Sequence, residues 1–275
     1  MTAQDPRQLE SHFAFGENWQ SFLKVISPQR IDEAKRSLRR LFPADEIKGR
    51  RFLDIGCGSG LFMLAAMESG ARSVEGVDID PNSVAAAKSL LSRYHPNGQW
   101  SVRVASVFEL APETNGTFDI VYSWGVLHHT GDMWTAIGKA AALVAPGGLF
   151  AVALYRKTPL CGFWRHEKKF YSAAEKPTQA MIRYAYQSLY CAGLLATGRN
   201  PIRYVRDYHS ARGMDWSHNV HDWLGGYPYE SVQPAEVEAR LEGLGFRMAR
   251  VFEKPAAALG LFGSHCDEFV AVRRS

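Results

Sequence analysis

The chain has few cysteines, little excess charge and no long apolar run. Its 4 cysteines, Cys57, Cys161, Cys191 and Cys266, are scattered without a Cys-x-x-Cys pair. The sequence therefore predicts neither a zinc site nor a disulfide framework, and Cys57 reads as a small side chain filling a turn. A formal net charge of +4 is too small by itself to argue for a nucleic-acid partner. No stretch approaches the ~20 apolar residues of a membrane span. Ala180 to Gly198 comes nearest, but Arg183, Gln187 and several tyrosines interrupt it. Met1 to Arg7 lack the apolar region of a secretion signal, so a soluble cytoplasmic protein with no membrane partner is expected. There is no internal repeat or low-complexity tract. At 275 residues and 46% hydrophobic, the chain can bury a full core, as one large domain with an insertion or as one and a half domains.

The most informative run is Phe52-Leu53-Asp54-Ile55-Gly56-Cys57-Gly58-Ser59-Gly60. An apolar stretch containing an acid runs into three glycines at alternate positions, and a helical segment, Leu61 to Ser69, follows at once. This predicts a buried strand, a turn without bulky side chains and a helix start whose N–H groups are free. A second apolar run, Ser73 to Val77, ends in Asp78, 18 residues beyond Gly60. An acid at the end of the next strand, about 20 residues past a glycine turn, can accept hydrogen bonds from both hydroxyls of a ribose. Asp80 or Ser83 is then expected to cap a helix. Further strands are predicted over Trp100 to Val107, Phe118 to Ser123 and Gly148 to Tyr155, the last entered through the turn Ala145-Pro146-Gly147-Gly148. Helical stretches of about ten to fifteen residues separate them, the pattern of a parallel sheet.

The order D-x-G-x-G-x-G differs from the dinucleotide fingerprint. It resembles the first motif of the class I S-adenosylmethionine (SAM) methyltransferases, and the blocks from Phe52 to Tyr155 follow in that family's order. The resemblance implies an α/β fold: a doubly wound, mostly parallel, seven-stranded Rossmann-like sheet with a helical cap inserted after the fifth strand. It also implies SAM as cofactor, with S-adenosylhomocysteine as product. Carried over residue by residue, Asp54 and the turn Gly56, Gly58, Gly60 would hold the methionine part and Asp78 the ribose. Ile79 would cover an adenine face, and Trp124 and Trp19 would line the cofactor. Ser106 stands where many relatives carry an acid to the adenine amino group, so its hydroxyl or the Val107 N–H would serve the ring instead.

The expected organisation is an N-terminal helical segment over the active site (1–48), a SAM-binding core (49–155), an inserted substrate-binding cap (156–230) and the rest of the core (231–275). In the N-terminal segment two helical pieces are read. The aromatic face of the first, with Trp19, either covers the cofactor or packs on the sheet. A helix is predicted over Pro177 to Leu195 and another from Pro234 to Leu244. Arg247 to Glu253 and Asp267 to Arg273 form two last strands, antiparallel by resemblance, with a glycine- and alanine-rich, mobile loop between them.

Because the sulfonium of SAM already makes its methyl electrophilic, the protein has to position an acceptor and remove a proton. His128 and His129 follow the fourth strand, where each reads either as the base or as packing for the next helix. His129 occupies the position of a histidine in the similar block of quinone-pathway methyltransferases. In the cap, His218 and Asp222 are candidates for proton removal. The spacing Asp215-x-x-His218-x-x-His221 lacks a fourth ligand and is read as hydrogen bonding, not as a metal site. Tyr155, Tyr227 and Tyr229 are candidate acceptor contacts. Arg156 and Arg212 either hold an anionic group or are plain surface charge. The blocks around Phe15 to Trp19, Trp124 to Thr130 and Asp222 to Pro228 resemble one bacterial subgroup of the family. The expected function is methyl transfer to a small polar or aromatic metabolite, at oxygen before nitrogen. Two alternatives stand beside it: an RNA methyltransferase using the basic, aromatic stretch Arg156 to Lys176, and a SAM-binding sensor. The oligomeric state is left open.

Overall fold

The computed structural model describes residues 26–43, 45–212, 216–254 and 260–275, with the side chains of 209–212 and 218 outside the description. After helix α1 (Pro28–Leu41), strand β1 (Arg51–Ile55) leads through the glycine turn into α2 (Leu61–Glu68). Then β2 (Ser73–Asp78), α3 (Pro81–Tyr94) and β3 (Trp100–Val104) follow. A short helical turn, α4 (Pro112–Asn115), precedes β4 (Phe118–Trp124), α5 (Met133–Ala142) and β5 (Val144–Tyr155). The inserted segment carries α6 (Cys161–Ala173), α7 (Lys176–Ala196), α8 (Pro201–Arg212) and α9 (Trp216–Gly225). The chain closes with α10 (Pro234–Gly243), β6 (Phe246–Phe252) and β7 (Cys266–Arg273).

The 7-stranded sheet has the order β3-β2-β1-β4-β5-β7-β6. β1 to β5 pair in parallel, and β7 runs antiparallel to both β5 and β6. Side-chain alternation divides the core between two faces. Leu53 and Ile55 of β1 pack with α5 and α10 through Ile137, Ala140, Val237 and Leu241. Phe52 packs on the other face with Ile31 and Leu38 of α1 and Met63 and Leu64 of α2. Asp54 alternates with Leu53 and so belongs to the α1 and α2 face. Between β1 and β4 the chain reverses its direction of winding, which opens a crevice beyond the carboxyl ends of those strands.

Two boundaries depart from the sequence expectation, and one of the two expected caps of α3 is realised. β3 stops at Val104 because Ser106 begins a short 3-10 turn, with a reciprocal capping box between Ser106 and Glu109. β5 begins four residues early, at Val144, and a register shift beside Phe118 absorbs the Ala145–Gly148 turn into the strand. Asp80 caps α3 by accepting the Asn82 N–H at 2.8 Å, while the buried Ser83 hydroxyl makes no hydrogen bond.

Two glycines of the turn are required by geometry. Gly56 and Gly60 have φ of 76° and 78°. A Cβ on Gly56 would lie 2.4 Å from the Val126 side chain, and one on Gly60 would lie 2.9 Å from the Cα and Cβ of Ala87 in α3. Gly138, within α5, has nothing within 4 Å of an added Cβ. We expect Gly60→Ala to cost about 2–4 kcal/mol, from left-handed backbone strain and overpacking. Gly138→Ala should instead stabilise by about 0.5–1 kcal/mol through helix propensity. Urea unfolding of the two variants checks both signs.

Candidate functional site

Two carboxylates flank the glycine turn. Asp78, ending β2, accepts the Gly58 N–H at 2.9 Å on one oxygen and the Asp80 N–H at 2.9 Å on the other. A carboxylate offers about four acceptor positions, so room remains for hydroxyls of a ligand. Burial pushes its pKa up to about 6, against the backbone N–H groups of Asp80, Gly58 and Ile79, with the charge of Asp80 adding to the rise. Asp54 is 3% exposed, and burial, then the charge of Asp78, pushes it up to about 8. Tyr122 lies fully buried on the same sheet face, electrostatically coupled to Asp54, and its hydroxyl has no hydrogen-bond partner. Trp124 follows on that face. Its indole N–H donates to Glu268 at 2.8 Å, and Arg40 of α1 donates to the same carboxylate. The half-buried Ile79 stands next to Asp78, and the Ser106 oxygen accepts the Phe108 N–H at 3.4 Å while its own proton stays available to donate. This crevice suits a ligand carrying positive charge toward Asp54 and a diol toward Asp78.

The second half of the site gathers where the inserted segment rejoins the core. His128 and His129 lie in a 3-10 turn beyond β4, both buried. The His129 ring faces the Pro228 carbonyl oxygen at 2.7 Å through Nδ1. A carbonyl only accepts, so Nδ1 carries the proton and Nε2 is the acceptor nitrogen. A Cβ on Gly226 would stand 2.6 Å from the His129 ring, which explains the glycine there. The chain returning from α9 is laced to this turn: Glu230 N–H donates to the His128 carbonyl at 3.0 Å, and the Glu230 carboxylate accepts the Met133 N–H at 2.9 Å. Neither ring nitrogen of His128 has a hydrogen bond of normal geometry. Burial, then the neighbouring His129 and Lys168, holds His128 well below the ordinary histidine range, so it is neutral.

Tyr155, at the end of β5, joins the two halves of this cluster. Its ring centroid lies 4.0 Å from His128, 5.4 Å from His129, 5.1 Å from Trp223 and 5.4 Å from Tyr229. The structure thus brings His128, His129, Tyr155 and Tyr229 together, as the sequence reading placed them at one site. It adds two residues that reading passed over, Trp223 and Lys168. Lys168 is 0% exposed. Its ammonium donates to the Trp223 carbonyl and sits 3.6 Å over the Trp223 ring, 5.3 Å from that of Tyr229 and 6.0 Å from that of Tyr155. The signal was present: Trp164, Lys168 and Tyr171 recur at i, i+4 and i+7, one helical face, and all three are buried.

Several expected site residues take other roles. Arg156 donates to Asp267 at 2.7 and 3.1 Å and also pairs with Glu253, so it clamps β5 to β7 and is no open anion holder. The Tyr229 hydroxyl turns inward to Ser264 at 3.0 Å and Cys161 at 3.3 Å, leaving its ring as the part that meets the cluster. Asp222 lies within electrostatic reach of Tyr171, and Tyr227 is half-buried with its N–H on the Gly225 carbonyl at 2.6 Å. His221 is engaged by the Tyr171 hydroxyl at 2.6 Å and Arg183 at 3.0 Å. Trp19 and Asp215, and the side chains of Arg212 and His218, lie outside the described residues. The stretch from Arg156 to Lys176 is no continuous basic face, because Trp164, Lys168 and Tyr171 point inward. Nor is the described end of the last loop loose. Trp164 donates to the Gly260 carbonyl at 2.8 Å, Tyr186 to that of Phe262 at 2.9 Å, and a Cβ on Gly263 would collide with Trp223 at 2.1 Å. Among the described residues no helix is long and apolar enough to cross a membrane.

Comparison with known proteins gives a family and a fold. Residues 27–192 match a family model described as a methyltransferase domain. Over 158 residues the chain is 31% identical to a ubiquinone biosynthesis O-methyltransferase of Xanthomonas oryzae pv. oryzae, a match spanning 55% of this chain and 62% of that protein. A protein of the same name from a Bradyrhizobium species is 31% identical over 160 residues, 54% of this chain and 61% of the relative. The match therefore spans less than two thirds of these relatives' length. Among solved structures, a magnesium protoporphyrin IX methyltransferase from Synechocystis PCC 6803, with bound S-adenosylhomocysteine, superposes with a TM-score of 0.54 at 18% identity, covering 92% of this chain and 86% of that one. A SAM-dependent methyltransferase from Mesorhizobium loti gives 0.54 at 19% identity, covering 88% and 100%. At these identities the likeness is one of fold.

Two outcomes test the geometry. Asp54 has a folded pKa of about 8, above its unfolded value, so its contribution to stability is present below about pH 4 and lost as pH rises toward 8. Asp54→Asn should therefore stabilise the ligand-free protein at pH 8 by at least ~1 kcal/mol and leave it little changed at acidic pH, read by denaturant unfolding at both. Arg156→Met should cost about 2 kcal/mol by stranding the buried Asp267, with cofactor affinity unchanged by calorimetry.

Proposed function

The chain belongs to the methyltransferase-domain family, and from that premise we propose that it is a SAM-dependent methyltransferase acting at oxygen on a small acceptor held beneath the inserted helices. The observation that carries this reading is the pair of buried acids on either side of the glycine turn. SAM carries two positive groups and a ribose diol. Asp54 and the unpartnered Tyr122 hydroxyl would meet the methionine end, and the spare lone pairs of Asp78 would meet the diol. Ile79, Ser106 and Val107 would border the adenine, and Trp124, fixed by Glu268, would close the crevice on the α1 side. The fit is chemical as well as spatial. A bound cation lowers the cost of ionising two carboxylates that burial has raised.

When bound, SAM supplies an electrophilic methyl group. The chain's own residues have three tasks: to hold the acceptor oxygen, to take its proton and to keep water away. His129 is suited to the second, because the Pro228 carbonyl fixes its tautomer and leaves Nε2 as the accepting atom. His128 and the rings of Tyr155, Trp223 and Tyr229 form the walls. Oxygen is favoured over nitrogen by a proton acceptor at the site and by the O-methyltransferase names of the relatives. A small acceptor is favoured over RNA because Trp164, Lys168 and Tyr171 of α6 are buried, which leaves Arg165 and Lys169 as the exposed Lys and Arg residues of that helix.

Asp78→Ala should weaken binding of S-adenosylhomocysteine at least ~100-fold, in keeping with two lost charge-assisted hydrogen bonds. His129→Asn, whose side-chain amide can still donate to Pro228, should bind it normally and lose most methyl transfer. Calorimetry with both variants tests the assignment, and undiminished binding by Asp78→Ala would overturn the cofactor site.

A further inference from the structure

The inserted hairpin of α7 and α8 has an inside and an outside of different chemistry. Inside, Ile182, Tyr186, Tyr190 and Leu194 of α7 recur at every fourth position and are partly or wholly buried. The Tyr190 hydroxyl meets that of Tyr204 in α8 at 2.9 Å, and both rings lie against Trp216. Outside, every exposed residue from Pro177 to Ala196 is uncharged. Met181, Tyr184, Leu189 and Leu195 of that stripe, with Ile202 of α8, are between 65% and 81% exposed. From Met181 to Leu195 the stripe runs for ~20 Å along the helix. A surface helix ordinarily turns charged and polar residues outward, and contiguous exposed apolar area marks a contact.

Cations gather at the ends of the stripe. Lys176 opens α7, and Arg199, Arg203 and Arg206 follow its last turn, all exposed. Ile202, Val205 and Arg206 stand at i, i+3 and i+4 of α8, so apolar and cationic groups share one face. Asp207, the only acid from Arg199 to Tyr208, is shared by Arg203 at 3.5 Å and Arg206 at 2.9 Å. From Cys161 to Tyr208 the chain holds 8 Lys and Arg against 3 Asp and Glu, an excess of +5. The whole chain carries +4, so the remainder is −1 and the positive charge is concentrated on these helices.

We propose that the outer face of α7 and α8 docks on an anionic lipid surface, with α7 lying in the plane of the headgroups. The helix is not apolar enough to span a bilayer, but an apolar stripe bounded by Lys and Arg suits the interface. There the aliphatic side chains enter the acyl boundary by ~5–10 Å, Tyr184 sits at headgroup level and the arginines meet lipid phosphates. A second copy of the chain is a poorer occupant, because it would bring the same positive excess to the contact. RNA is poorer too. Phosphates need cations along their path, and the exposed stripe from Pro177 to Ala196 offers none.

The test is co-sedimentation of the full chain with vesicles of phosphatidylcholine, with and without about one third phosphatidylglycerol. The wild-type protein should partition at least ~10-fold more strongly onto the anionic vesicles and lose that preference in high salt. Met181→Gln with Leu195→Gln keeps the charge and should bind the anionic vesicles at least ~10-fold more weakly, because two apolar anchors are lost. Arg199→Gln with Arg203→Gln keeps the stripe and should cut the preference for anionic vesicles at least ~5-fold. All four side chains are exposed, so both double variants should unfold cooperatively in urea like the wild type. Equal binding to neutral and anionic vesicles, full binding by either double variant, or no binding by the wild type overturns the proposal. So does a dimer in sedimentation velocity that Met181→Gln with Leu195→Gln abolishes, or retention on RNA in place of vesicles.

Discussion

The Asp78 carboxylate is the contact on which the rest of the site depends. By taking the N–H of Gly58 on one oxygen and that of Asp80 on the other, it fastens the turn after β1 to the start of α3. Without that clasp the glycine turn would have no fixed relation to β2, and the N–H groups opening α2 would not face a defined crevice. The clasp has an electrostatic consequence. Asp78 lies close enough to Asp54 to raise it further once burial has done so. The ligand-free protein therefore holds two acids where ionisation is disfavoured, an arrangement that trades stability for affinity toward a cation.

The inserted helices follow a different logic. Few of their contacts are with the sheet, and their order comes from an aromatic cluster of Trp164, Tyr171, Val220, Leu224 and Tyr229. Edge and tilted ring pairs among Tyr155, Trp164, Trp223 and Tyr229 add specificity, each worth about 0.5–1.5 kcal/mol beyond area burial. The cluster meets the core at three places: Tyr155 at the end of β5, the histidine turn after β4, and the loop 260–265 before β7. That last loop reaches the inserted helices through Gly260, Phe262 and Ser264. The proposed acceptor site is thus assembled from segments far apart in sequence.

This difference explains what the sequence made legible. The glycine turn, Asp78 and the strand order are local or spaced by one strand–helix unit, so spacing and resemblance placed them correctly. The same holds for the antiparallel pair β6 and β7. The early end of β3 was also readable, because Ser106 and Glu109 form a capping-box spacing that the strand reading ran over. Lys168 was passed over for a physical reason. In a run of Lys, Arg and aromatic residues, charge suggests solvent, and only the helical face shared with Trp164 and Tyr171 shows that this lysine goes inward. The partners of Arg156 and of the Tyr229 hydroxyl, Asp267 and Ser264, were not legible because they lie more than 30 residues away in the chain. Long-range pairing of polar groups has no periodic signature.

The most direct measurement of the central claim is transfer of labelled methyl from SAM into an extract of the source cells, separated into small-molecule and RNA fractions, with the Asp78→Ala protein as blank. The account predicts label in the small-molecule fraction, absent with the variant. Label confined to RNA, or no label from a protein that binds SAM, would contradict it.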